Sequence, residues 1–302
     1  MKFVKSQTLK PITLTTVSRS MFVGSVLFII LISTKNMIKL SVIIPSYREP
    51  YLNKTVESLL ENSELGKDEL EVICVLDGMW AECVDDPRVK VLHLGKNRGM
   101  RGGINAGMAI AKGEFVARLD AHCKFAKGWD KVITDTCEPN WIVTPLRYYL
   151  DPVKWERMDL PPVGFAKLVI GGQGADRKFS AANWKERDEE MKDVMIGETM
   201  GMQGSLWVMP RALWENVIGE LQIEGYGHLI QDSHEVIFKI WKMGGKCMLN
   251  KNTWYAHKHR SFARSHNNGT PDNPANCQAG YKYALDVWSD YYFKEIVPKW
   301  GI

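Results

Sequence analysis

Apolar residues along this chain form short continuous runs that alternate with stretches of helical spacing. Leu40-Ser41-Val42-Ile43-Ile44-Pro45 is rich in β-branched residues and ends at Pro45-Ser46-Tyr47, as expected of a strand covered on both faces. Leu52, Val56, Leu59 and Leu60 then fall at helical spacing within 49–63. Glu71-Val72-Ile73-Cys74-Val75-Leu76 predicts a second strand that stops at Asp77-Gly78, which completes a β-α-β unit. A third strand is predicted at 89–92, a helix over 104–111, and a fourth strand running from Glu114 toward Asp120. This alternation predicts an α/β fold, a Rossmann-like, mostly parallel central sheet flanked by helices, with ligands at the carboxyl ends of the strands.

Beyond this unit the pattern loosens. Residues 138–200 show no clean period and read as long binding loops or a lid. Order returns with a glycine-rich turn and strand over 200–209, a helix over 211–217, and an amphipathic helix over 233–242 carrying Val236, Ile237, Ile240 and Trp241. The tail over 276–297 is helical in pattern and rich in aromatic residues.

Composition narrows the class. With 302 residues, 45% hydrophobic and 25% charged, the chain is that of an ordinary folded protein. Its net charge of +4 becomes −1 once the five basic residues of 1–36 are set aside, so the body lacks the basic excess of a non-specific nucleic-acid binder. Six cysteines without paired short spacings point to a reducing compartment, the cytoplasm. The uncharged run 21–33 (MFVGSVLFIILIS) is short of the ~20 residues a spanning helix needs. Membrane contact is expected only through it, as a weak anchor, or else 1–36 is an extension ahead of a start at Met37.

The chemistry concentrates at Asp120-Ala121-His122. If the strand stays extended, Asp120 and His122 project the same way at its end, and a carboxylate with an imidazole suits Mn²⁺ or a similar divalent cation, Mg²⁺ included. Tyr47 and Ser46, after the first strand, have the chemistry to stack a base and to bond a ribose or base edge. The glycines of Asn97-Arg98-Gly99-Met100-Arg101-Gly102-Gly103 open a helix and can bring backbone N–H groups to a phosphate, with Arg101 adding charge. Gly225-Tyr226-Gly227-His228 has the flexibility of a lid.

In their order these motifs resemble nucleotide-sugar glycosyltransferases of the GT-A fold, both the broad family 2 and the polypeptide N-acetylgalactosaminyltransferase group, from about Lys39 to Arg260. Val42-Ile43-Ile44-Pro45-Ser46-Tyr47-Arg48-Glu49 is similar to the family's nucleotide-binding turn, which puts Pro45, Ser46, Tyr47 and Glu49 at the donor. Val75-Leu76-Asp77-Gly78 is similar to Val-Asp-Asp-Gly, with Leu76 in place of the first acid and Asp77 retained. The resemblance implies that Asp120 and His122, in the Asp-x-His form of the N-acetylgalactosaminyltransferase group, bind a metal with His257 of Trp254-Tyr255-Ala256-His257-Lys258-His259-Arg260. In that element Arg260 would hold the diphosphate, and His259, two residues on, is an alternative to His257. Gly204, in Gly201-Met202-Gln203-Gly204-Ser205, lies in a segment similar to the family's acceptor-side glycine turn and is expected to contact the donor. Asp232 falls where inverting relatives carry the catalytic base; it also reads as a helix cap with Glu235 three residues on.

The organisation this implies is an N-terminal extension over 1–36, a GT-A domain over 37–262 and a helical tail over 263–302. The function it implies is metal-assisted transfer of a sugar from a nucleotide-sugar, a UDP-sugar first, to an acceptor hydroxyl on a glycan, peptide, lipid or modified nucleic acid. The alternatives are a non-catalytic nucleotide-sugar or glycan binder, and a glycosyltransferase acting on nucleic acid through the basic patch of Lys251, Lys258, His259, Arg260, Arg264 and His266.

Overall fold

A computed structural model describes residues 37–259 and 274–302, with the backbone of two short strands, β1 (Phe22–Val23) and β2 (Val26–Leu27), ahead of them. The chain divides into two compact units, Met1–Asn36, in which β1 and β2 pair antiparallel, and Met37–Ile302. Among the described residues no helix is long and apolar enough to cross a membrane.

Within 37–302 the first half follows the predicted alternation: β3 (Leu40–Ser46), α1 (Leu52–Glu61), β4 (Leu70–Asp77), β5 (Val89–Leu94), α2 (Gly99–Met108) and β6 (Phe115–Leu119). β7 (Cys123–Phe125), α3 (Trp129–Thr136), β8 (Trp141–Asp151) and β9 (Glu156–Arg157) follow. Next come β10 (Ala166–Gly171), β11 (Lys178–Asn183), α4 (Lys185–Glu190), β12 (Ile196–Glu198), β13 (Leu206–Pro210) and α5 (Arg211–Leu213). α6 (Asp232–Lys242), β14 (Lys246–His257), α7 (Pro274–Tyr291) and α8 (Val297–Trp300) complete the chain. The main sheet runs β12-β14-β8-β13-β6-β3-β4-β5, with β7 on β14 and β9 on β8. β6-β3-β4-β5 and the β8/β14 pair are parallel, whereas β13 is antiparallel to both its neighbours.

Strand parity builds the core. Ile43, Ile73, Val75 and Val116 face one buried layer, with Ile104 and Met108 of α2, Val236 and Phe238 of α6 and Trp288 of α7. Val42, Ile44, Val72, Cys74, Ala117 and Leu119 face the other, with Val56 and Leu59 of α1 and Trp129 and Ile133 of α3. Both faces of the central strands are covered, which is why they read as continuous apolar runs. Where α2 crosses β3 the approach is close: a Cβ on Gly107 would lie 2.4 Å from Ile43 Cγ2.

Two expectations change here. Residues 138–200 carry five strands between their loops: the long β8 lies inside the sheet, and β10 and β11 form a hairpin. The helix expected at 104–111 begins at Gly99, so the glycine-rich segment is its first turn. The tail packs into the body, with Trp288, Tyr292 and Ile296 buried in the same core layer as Ile43.

Candidate active site

The sheet brings Asp120, His122 and His257 together beyond the end of β6. Asp120 follows the last residue of β6, and the chain then bends through Ala121 and His122 instead of continuing as an extended strand. The bend is fixed by its backbone: Asp120 N–H donates to the Ser205 carbonyl at 2.8 Å, and Lys258 N–H to the His122 carbonyl at 3.1 Å. Cys123, first in β7, pairs opposite His257, last in β14, so the sheet itself carries His257 to His122. The two imidazole centroids are 4.8 Å apart.

Asp120 stands between these rings. Its Oδ2 lies 3.1 Å from His257 Nε2 and 3.7 Å from His122 Nε2, and one ligand atom from each of the three residues falls within 4.8 Å of the others. All three side chains are buried. A divalent cation fits this set: a carboxylate oxygen and two imidazole nitrogens suit Mn²⁺-like metals, and His122 Nε2 and His257 Nδ1 are buried with no hydrogen-bond partner among the described residues. Burial pushes the His257 imidazole down to about 4, against the opposing pull of Asp120, so its ring is neutral near pH 7. Burial by itself would raise the Asp120 carboxyl, but the Arg118 guanidinium and the His257 contact hold it well below the usual carboxylate range.

Glu49, expected at the donor, backs this group: its Oε2 lies 3.0 Å from His122 Nδ1. A carboxylate on the far nitrogen fixes ring orientation and tautomer, leaving Nε2 turned to Asp120. Pro45 and Ser46 close β3 beside it, and Tyr47 lies under the Arg48 guanidinium at 5.2 Å, with Arg48 itself at φ 51°. Arg260 lies outside the described residues, as do Arg264 and His266.

Asp232 is the first residue of α6 and is buried. It is not the expected cap. Gln231, with φ 56°, takes that position, and among the described residues no side-chain cap bond is made. Glu235 turns inward to Arg101 and Lys239, so no capping box forms. The Asp232 Oδ2 has no hydrogen-bond partner among the described residues and lies 4.0 Å from Arg118 Nε. The Gly204 carbonyl accepts from Arg118 Nη1.

Other expectations are corrected by burial. Arg101 does not reach toward a phosphate: its side chain is fully buried, pairs with Glu235, donates to the Ile230 and Gln222 carbonyls and stacks on Tyr226 at 4.2 Å. Three of the donors at the start of α2 are already taken within the protein. Arg98 N–H is taken by Asp77 Oδ1, Gly99 N–H by Asn97 Oδ1 and Arg101 N–H by the His228 carbonyl. Asp77 is thereby a tie between β4 and α2; burial raises its carboxyl despite those N–H donors, and Gly78 turns beside it at φ 81°. The expected lid at 225–228 is pinned, since Tyr226 is buried and its hydroxyl accepts from Trp288 Nε1 at 2.6 Å.

Arg118 escaped the sequence reading. A charged residue inside a strand buried on both faces was the available signal, because such a charge is costly unless partnered.

The mixed sheet flanked by helices is that of a GT-A glycosyltransferase fold, as its likeness to a solved structure of that fold shows. The profile described as "Glycosyl transferase family 2" matches residues 41–222, more than half the chain, and the chain belongs to that family. It is similar to "Polypeptide N-acetylgalactosaminyltransferase 12" of Mus musculus, 23% identical over an alignment of 288 positions that covers 86% of this chain and 45% of that protein. "Putative polypeptide N-acetylgalactosaminyltransferase 10" of Caenorhabditis briggsae is 26% identical over 71% of this chain and 33% of its own length. The chain therefore spans less than half the length of these curated relatives. Among solved structures, the crystal structure of GalNAc-T7 with UDP, GalNAc and Mn²⁺ superposes with a TM-score of 0.65 at 18% identity, over 87% of this chain and 51% of that one.

Proposed function

We propose that this chain transfers a sugar from a UDP-sugar to an acceptor hydroxyl with the help of a divalent cation, Mn²⁺ first and Mg²⁺ second, held by Asp120, His122 and His257. The observation that carries this reading is the buried Asp/His/His group at the carboxyl edge of the sheet. The Mn²⁺ and UDP bound by GalNAc-T7, a protein of the same fold, add support. When bound there, the cation supplies charge to stabilise the departing nucleoside diphosphate.

The chain's own groups do the rest. Glu49 orients His122, and Arg118 occupies Asp120 Oδ1 at 2.8 Å, which leaves Oδ2 to the metal side. Pro45, Ser46 and Tyr47 form the donor-side edge, with Asp77 shaping the adjoining turn and Gly204 the wall near the sugar. Arg260 is assigned to the diphosphate through the His-x-x-Arg resemblance alone. Asp232, with an unpartnered buried oxygen, takes the acceptor proton in an inverting transfer and positions substrates in a retaining one. The scattered cysteines favour the cytoplasm as its compartment, with membrane contact confined to 21–33.

The test is nucleoside diphosphate release from a panel of sugar nucleotides, with Mn²⁺ or with chelator, for wild type, Asp120→Ala and Asp232→Asn. Metal-dependent turnover of one donor, abolished by D120A, is expected. D232N is expected to bind the donor yet lose roughly 10²–10⁴ in kcat, the range of a lost general base. If no sugar nucleotide is turned over with any metal, the enzyme reading fails and a non-catalytic binder takes its place.

A further inference from the structure

We infer that Arg118 is a positioning residue that sets the metal ligand Asp120 and the acid Asp232 relative to each other; this rests on the function proposed above. Arg118 lies in β6 between Ala117 and Leu119, which pack in the apolar layer on the opposite face. An apolar side chain would satisfy that strand position without desolvating a charge, so the arginine stands there for what it holds.

It holds several groups at once. Nη2 donates to Asp120 Oδ1 at 2.8 Å and lies 3.0 Å from Met100 Sδ, while Nη1 donates to the Gly204 carbonyl. Nε faces Asp232 Oδ2 at 4.0 Å, beyond hydrogen-bond length, and among the described residues neither of these buried atoms has a hydrogen-bond partner. The two acids are thus restrained differently. Asp120 is bonded through one oxygen, so the other faces the histidines. Asp232 is attracted by charge but not bonded, so its Oδ2 lone pairs stay available for a proton. A planar guanidinium reaches these partners in fixed directions, whereas an ammonium offers a single centre.

The test uses Arg118→Lys, with Arg118→Gln in its place if the lysine variant fails to fold, both checked by circular dichroism. Mn²⁺ affinity is read by electron paramagnetic resonance without nucleotide, and kcat and donor KM at saturating Mn²⁺. We expect Mn²⁺ affinity to fall about 10-fold, as when an outer partner of a ligand is lost. At saturating Mn²⁺, kcat should remain at least ~10-fold low while donor KM changes less than ~3-fold, because the Asp232 placement is not restored by metal. A kcat that recovers fully at saturating Mn²⁺ overturns the link to Asp232, and unchanged Mn²⁺ affinity overturns the link to Asp120. If wild type turns over no donor, the proposed function fails separately, and the Mn²⁺ comparison alone decides whether Arg118 positions Asp120.

Discussion

Arg101→Met separates the phosphate role expected from sequence from the structural role seen in the fold. The guanidinium is fully enclosed, pairs with Glu235, and donates from Nε to the Ile230 carbonyl at 2.8 Å and from Nη1 to the Gln222 carbonyl at 2.9 Å. Methionine fills part of the volume but leaves Glu235 short of a cation and two carbonyls short of donors. Breaking one side of a buried pair costs about 3–5 kcal/mol. The lower half of that range applies here, because Lys239 Nζ remains 2.7 Å from Glu235 Oε1. At about 2–4 °C per kcal/mol for a body of this size, the melting temperature should drop by roughly 6–16 °C. Thermal unfolding by circular dichroism reads this, and donor KM measured well below the transition should stay near wild type. Adding Glu235→Met should return part of the loss, since an apolar pair leaves no uncompensated charge. An unchanged melting temperature with a strongly raised donor KM would refute the argument and return Arg101 to the phosphate.

Glu49→Ala should weaken Mn²⁺ binding about 10- to 100-fold without unfolding the protein, because His122 loses the carboxylate on its Nδ1. Calorimetric titration checks this, and wild-type affinity in E49A alongside loss of binding in His122→Ala would count against the orienting role. Asp86 supplies a pH effect: the Arg88 guanidinium holds its carboxyl down at about 2, below its ordinary 3.8. A depressed carboxylate contributes stability above the unfolded value and loses it as pH falls through the folded one, so wild type should lose about 1 kcal/mol between about pH 4 and 2 after solvent screening. Asp86→Asn should flatten that segment of a stability–pH curve, and an unchanged slope would show that the pair contributes nothing.

What the sequence determined on its own is the part governed by local periodicity. β3, β4 and α6 were legible because strand and helix spacings are set by backbone geometry within a few residues, and both-face burial leaves a continuous apolar run. The Asp120/His122 pair was legible as two metal-ligand residue types two positions apart. His257 is named only through the family resemblance, with His259 as its alternative, and Glu49 only as a donor-side residue; the tertiary structure decided how these distant groups meet the pair. His257 reaches Asp120 across 137 residues because β7 pairs with β14, and Glu49 reaches His122 across 73. The same holds for the arginines, which look alike in sequence: Arg101 sits in a glycine-rich turn that suggests phosphate, yet it closes a core ion pair, while Arg118 sits in an apolar strand and ends up between two acids of the site. A charge takes its role from the burial and partners around it, and those are fixed by packing through space.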